Sequence, residues 1–275
     1  MPGAAHPLGY DAETPGEPDH SRGTRVTAPD SASTGVRGAP TARRTLVAFA
    51  PFLALAVVHL AMIALGLDEA ARVSKLLLMP ALAFAVMLAL WPVRSDASWL
   101  LITAIAFSWG GDAALTVPGE WWFIIGLGSF LLAHLAYIAL FFRLPAEGRR
   151  LNAWALGYAV WYIGFLALLA PHLGGMIVPV AVYGAVLGAM AALAAAHGGL
   201  IAAGGAFFVV SDSVLALGRF LPGYEFALHD VTVMTSYLAA QGLIALGAVS
   251  AIRADRRARV PSRPARDRRA SATAR

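Results

Sequence analysis

The sequence contains no cysteine, which excludes disulfide staples, thiolate metal sites and a thiol nucleophile and leaves the redox compartment open. Charge is scarce too. Asp, Glu, Lys and Arg make up 13% of the 275 residues and hydrophobic residues 59%, where soluble domains carry roughly 25% and 45–50%. A sustained polar stretch is also missing between Thr45 and Ile252. In its place, apolar runs of about 20 residues, each able to cross a hydrocarbon layer of about 30 Å, follow one another with short interruptions. No secretory signal opens the chain, because the first apolar stretch starts only near Thr45 and is long enough to span rather than be cleaved. A water-soluble core has no use for this pattern, and it predicts an all-α, polytopic transmembrane helix bundle.

We expect about eight spans, near Thr45–Leu67, Val73–Trp91, Ser98–Val117, Trp121–Phe142, Asn152–Ala170, Gly175–Ala196, Leu200–Phe220 and His229–Ile252. Residues 1–44 are rich in Pro, Gly, Ser, Thr and Ala without apolar period and read as a disordered cytoplasmic tail. Residues 45–252 form the membrane domain, and 253–275 a basic cytoplasmic tail. The net charge of +5 resides mostly in the tails. A basic run beside a span marks the cytoplasmic face and anionic lipid better than nucleic acid. With eight spans, Arg43, Arg44, Arg94, Arg143, Arg149, Arg150 and the C-terminal arginines share one side, leaving Arg72, Lys75 and Arg219 on the other. The positive-inside rule then puts both termini in the cytoplasm of a multi-pass cell-membrane protein. The dense small residues of Gly126-Leu-Gly128, Gly184 to Gly188 and Gly204-Gly205 read as close helix packing.

Two carboxylates stand where carboxylates are costly. Holding one charged at a span centre costs about 3 kcal/mol on insertion scales, so such residues face the bundle interior or a wet cavity. Asp112 closes Phe107-Ser-Trp-Gly-Gly-Asp112, one turn beyond Ser108, so hydroxyl and carboxylate share a helix face. Asp212 lies between Ser211 and Ser213. The two occur four spans apart, each followed by a short apolar run, which a duplicated four-helix unit in parallel orientation would produce. Lys75, His134 with Tyr137, Tyr183, and Tyr237 with Gln241 lie at comparable depth and could converge on one pocket in the half of the bundle away from the basic face. Structural readings exist for each. Lys75 could snorkel to the interface or form a buried ion pair with an aspartate, His134 could be a satisfied interhelical bonder, and Tyr183 and Tyr237 could simply pack. Nothing has metal-ligand spacing, so we expect no metal and no cofactor. Taken alone, these residues describe a membrane enzyme or transporter with a two-aspartate polar pocket.

Ser74-Lys-Leu-Leu-Leu-Met-Pro80, Gly111-Asp112, Phe130-Leu-Leu-Ala-His134-Leu-Ala-Tyr137, Gly205-Ala-Phe-Phe-Val-Val-Ser-Asp-Ser213 and Ser236-Tyr-Leu-Ala-Ala-Gln241, in that order, resemble the YhhN family of membrane proteins, which includes the lysoplasmalogenases. The likeness runs from about Val73 to Gly247. The family pattern has Lys-Pro where this chain has Lys75-Leu76, and a second aromatic where it has Ser236. The resemblance implies hydrolysis of the vinyl-ether bond of a lysoplasmalogen, a lysophospholipid, to a fatty aldehyde and a glycerophospho-ethanolamine or -choline. It implies Asp112 and Asp212 as catalytic residues, with Lys75, His134, Tyr137, Ser108, Ser211, Tyr237 and Gln241 in binding or support. Such chemistry needs one carboxylic acid to protonate carbon and one carboxylate to steady the oxocarbenium ion, as in glycoside hydrolysis. The rival reading is a proton-coupled transporter or lipid carrier using the same carboxylates. Membrane lipid is the expected surrounding partner, nucleic acid is not a partner, and the sequence leaves the oligomeric state open.

Overall fold

The computed structural model of the chain describes residues 39–145 and 153–259. Among these, all regular structure is helical: α1 (Ala39–Ala64), α2 (Asp68–Leu90), α3 (Asp96–Leu115), α4 (Glu120–Arg143), α5 (Ala153–Leu173), α6 (Ile177–His197), α7 (Gly199–Phe220) and α8 (His229–Ala258). The tail ahead of Ala39, the Arg149–Arg150 pair and the arginines beyond Arg259 lie outside the described residues.

Seven stretches are long and apolar enough to cross a membrane. One of them, Leu156–His197, has 42 residues, about 63 Å at helical rise and so about twice a hydrocarbon core. It is two passes. A single 3₁₀ turn at Gly174–Met176 divides it, with Gly174 at φ +50° in the left-handed region that favours glycine. The Tyr162 hydroxyl donates to the Ala181 carbonyl at 3.1 Å across the resulting hairpin. The described chain is therefore a multi-pass bundle of eight helices. Its ends differ from the sequence expectation: α1 begins at Ala39 rather than near Thr45, and α8 carries the first tail arginines as helix to Ala258.

Large apolar side chains cover the outside, with Val57, Phe84, Leu156, Val160 and Ile163 all more than half exposed. In water such a surface would aggregate, whereas lipid tails solvate it. Helix backbones meet where side chains are absent. A Cβ on Gly205 would fall 2.7 Å from that of Ala194, and one on Gly204 would lie 2.9 Å from the Ala240 carbonyl. On α3, a Cβ at Gly111 would strike the Phe130 ring of α4 at 2.5 Å. These contacts draw α7 onto α6 and α8 two turns before Asp212, and α3 onto α4 beside Asp112.

One helix end and one helix interior, both in α2, are completed by side chains from elsewhere. Arg253 donates to the Ala89 carbonyl (Nε, 2.9 Å) and Arg256 to that of Leu90 (Nη1, 2.9 Å), so α8 supplies the cations that the last turn of α2 lacks. Within α2, Pro80 has no N–H for the carbonyl four residues back. That carbonyl belongs to Leu76, and the Trp109 indole N–H of α3 donates to it at 2.9 Å.

Candidate active site

Alternate helices run in opposite directions, so Leu115 at the end of α3, Phe123 in the first turn of α4 and Phe220 at the end of α7 lie at the same end of the bundle. All three line a cavity that continues inward past Phe130, Tyr183, Leu187 and Tyr237. Counted out through its mouth, open solvent included, it holds about 990 Å³ of atom-free space. Its walls are mostly aromatic and aliphatic, and Lys75, Asp112, Ser211 and Asp212 supply most of the polarity. Both aspartates thus face one space from α3 and α7, close enough for their charges to act on each other.

Their partners differ. Asp112, 2% exposed, has Lys75 Nζ 3.5 Å from Oδ1 and accepts the Tyr237 hydroxyl on Oδ2 at 2.7 Å. Behind Tyr237, Gln241 Nε2 donates to its hydroxyl at 3.3 Å and the Tyr137 hydroxyl donates to Gln241 Oε1 at 2.5 Å. Every donor in the row Tyr137, Gln241, Tyr237 points toward Asp112, and such aligned bonds polarise one another. Both Asp112 oxygens therefore face donors, Lys75 on one side and Tyr237 on the other. Asp212 accepts the Tyr183 hydroxyl on Oδ2, and no described group donates to its Oδ1. It is half-buried, its open surface toward the cavity it lines.

Most of the other expected site residues stand behind this wall. His134 is fully buried, edge-on to Tyr183 and Phe208 with ring centroids at 5.4 and 5.1 Å. The Phe130 carbonyl one turn earlier faces its ring, and neither ring nitrogen closes a well-formed hydrogen bond. The Ser108 hydroxyl is buried without a hydrogen-bond partner among the described residues. Ser211 lines the cavity but spends its proton on the Val233 carbonyl at 3.1 Å, tying α7 to α8. Lys75, Tyr237 and Ser211 therefore reach the cavity with the aspartates, whereas His134, Tyr137, Gln241 and Ser108 do not line it.

Two residues gain importance that their sequence context did not give them. Tyr183 reads as packing in sequence, yet it is the partner of Asp212; lone phenols in spans look alike until the neighbouring helix is known. His59 of α1 is 2% exposed, its Nδ1 2.8 Å from the Ser74 hydroxyl, which donates to the Ala71 carbonyl at 3.0 Å. With the serine proton so engaged, His59 is the Nδ1–H tautomer. It holds α1 against the turn of α2 that carries Lys75. Among the described residues no group of three His, Asp or Glu side chains is placed to hold a metal ion.

Comparison with known proteins adds a second line of evidence. The chain is 37% identical over 210 residues to a lysoplasmalogenase of Mycobacterium bovis, covering 69% of this chain and 78% of that one. It is 34% identical over 214 residues to a lysoplasmalogenase of Mus musculus, covering 76% and 88%. A human lysoplasmalogenase matches at 33% over 161 residues, 54% of this chain and 65% of its own. No solved structure matches. The YhhN family model covers residues 70–248, a range that holds Lys75, Asp112, Tyr183, Asp212 and Tyr237 together with the helices that position them, and the chain belongs to the YhhN family.

Proposed function

We propose that this chain is a membrane-embedded hydrolase that cleaves the vinyl-ether bond of a lysoplasmalogen, releasing a fatty aldehyde and a glycerophospho-alcohol. The observation that carries the reading is one apolar cavity faced by two carboxylates with unlike partners, a lysine and a phenol on Asp112 and a phenol alone on Asp212. The relatives named lysoplasmalogenase support the same activity.

Enol-ether hydrolysis begins with proton transfer to the alkenyl carbon distal to oxygen. Asp212 is the donor in this reading: its Oδ1 is unengaged and its partner is neutral. The C=C pair forms the new C–H bond, and the remaining carbon becomes an oxocarbenium ion. Asp112, anionic beside Lys75, steadies that positive charge from the opposite wall. Water adds to the cationic carbon as the Asp212 carboxylate takes its proton, giving a hemiacetal. The hemiacetal hydroxyl then gives up its proton, the bond to the glycerol oxygen breaks, and that oxygen leaves protonated. One water is consumed, and aldehyde and alcohol are formed. The alkenyl chain lies among the aromatic and aliphatic side chains of α5 and α6, so a single-chain lipid enters from the bilayer without leaving apolar surroundings.

The test is aldehyde release from a lysoplasmalogen by detergent-purified protein. In D₂O the new aldehyde should carry one deuterium on the carbon beside the carbonyl, the mark of carbon protonation. Asp212→Asn should lower turnover by about 10²–10⁴-fold as a general acid is lost, and Asp112→Asn by about 10²–10³-fold as charge stabilisation is lost, with both proteins remaining monodisperse. Near-normal turnover in both variants would overturn the mechanism. A folded wild type that forms no aldehyde would overturn the hydrolase and favour a carrier, since detergent abolishes transport but not hydrolysis. We place the protein in the cell membrane with both termini cytoplasmic, on the strength of the arginines at the α1 and α8 ends.

A further inference from the structure

The open space does not end with the main cavity. At its mouth lies a second cleft of about 530 Å³, lined by Leu115, Val117, Pro118, Gly119, Glu120, Phe123 and Arg219. Leu115 and Phe123 are shared with the main cavity, so the two spaces adjoin. The Arg219 guanidinium is 5.1 Å from the Phe123 ring centroid and 5.9 Å from that of Phe220. Cation–π attraction of this kind holds a guanidinium near the rings and uses none of its N–H donors. Glu120, in the first turn of α4, lines the same cleft. Neither Arg219 nor Glu120 forms a salt bridge among the described residues, and they do not pair with each other. An isolated cation and an isolated carboxylate therefore face one cleft a short step from the buried carboxylates.

We infer that this cleft is the headgroup subsite, with Arg219 taking the phosphodiester and Glu120 the terminal amine of a zwitterionic lysophospholipid. A guanidinium matches phosphate oxygens with paired N–H donors. A carboxylate accepts hydrogen bonds from a primary ammonium, and a quaternary ammonium has none to give, so the cleft favours ethanolamine over choline. This inference deepens the proposed hydrolase and rests on it for the direction in which the lipid lies: head at the α3–α4 end, alkenyl bond between the aspartates.

The subsite is tested by binding, apart from turnover. Three lipids that have a saturated ether and no bond to cleave, a 1-alkyl-glycerophosphoethanolamine, the 1-alkyl-glycerophosphate and the 1-alkylglycerol, are titrated into the full-length protein in detergent by isothermal calorimetry. Arg219→Gln should weaken the two phosphate lipids at least tenfold and leave the alkylglycerol unchanged. Glu120→Gln should weaken the ethanolamine lipid several-fold and leave the other two unchanged. Both side chains are exposed, and thermal unfolding of each variant alongside guards against misfolding. Equal weakening of all three lipids by Arg219→Gln, or none, overturns the subsite. Displacement of the ethanolamine lipid by inorganic phosphate at matched concentration also overturns it, in favour of a free-anion site. Aldehyde release is read separately. Selective loss of phosphate lipids without aldehyde from wild type would retain the subsite and refute the hydrolase, and aldehyde release with unselective binding would do the reverse.

Discussion

At the scale of single residues, the site is a pair of like groups, each accepting a phenol, made unlike by the lysine beside Asp112. Lys75 gives Asp112 a charge partner, and Tyr183 gives Asp212 a neutral donor. Lys75→Met should lower kcat by about 10²-fold, in the range seen when an electrostatic partner of a transition state is deleted. Lys75→Arg should restore part of that loss in the same aldehyde assay. Tyr183→Phe leaves the Asp212 carboxyl present but no longer held, so kcat should fall while the affinity for a saturated-ether lipid stays unchanged. Equal loss in both quantities would mean that Tyr183 shapes the pocket and does not orient the acid. The aspartates and Lys75 were legible in sequence because charge inside a span is expensive and so draws attention. Tyr183 was not, since a phenol is cheap to bury and only the fold reveals that its hydroxyl meets a carboxylate.

At the scale of elements, one bond sets the register of α2 against α3. Pro80 strips the Leu76 carbonyl of its helical donor, and Trp109 replaces that donor. The replacement sits beside Lys75 on α2 and one turn from Asp112 on α3, so the same patch carries the ion pair. Trp109→Phe should leave a carbonyl unpaired on the lipid-facing surface, where no water replaces the donor, at a cost of about 1–3 kcal/mol and lower turnover through the Lys75–Asp112 pair. Pro80→Ala supplies an N–H to the same carbonyl, so the double variant should lose less than the sum of the singles. A double-mutant cycle on thermal stability and kcat, with additive losses, would refute the coupling. Packing at Gly205 gives a plainer test. Leu at that position must push α7 away from Ala191 and Ala194, and overpacking of this kind costs about 1–3 kcal/mol, read as a lower melting temperature in detergent. The helices themselves follow from the apolar runs. Their ends followed less well, because α1 and α8 continue as helix into arginine-bearing segments, and in α8 Arg253 and Arg256 bond the end of α2, which hydropathy does not register.

At the scale of the whole molecule, the two halves repeat a construction. Lys75 in the early part of α2 reaches the aspartate of α3, and Tyr183 in the early part of α6 reaches the aspartate of α7. In each half a side chain one helix back meets the carboxylate. Cross-half contact completes the site, since Tyr237 of α8 serves Asp112 of α3. Separately expressed halves, residues 1–150 and 151–275, should therefore yield no aldehyde alone and recover it when co-expressed.

The turn at Gly174–Met176 carries no Lys or Arg to orient it, yet it decides an odd-or-even question during biosynthesis. Read by the insertion machinery as one long hydrophobic segment, Leu156–His197 would cross once, and every later helix would be threaded upside down. Asp212 would then emerge in the opposite leaflet from Asp112, with both halves intact and no shared chamber between them. Parity of crossings, fixed by three residues, is as much a part of this active site as its carboxylates.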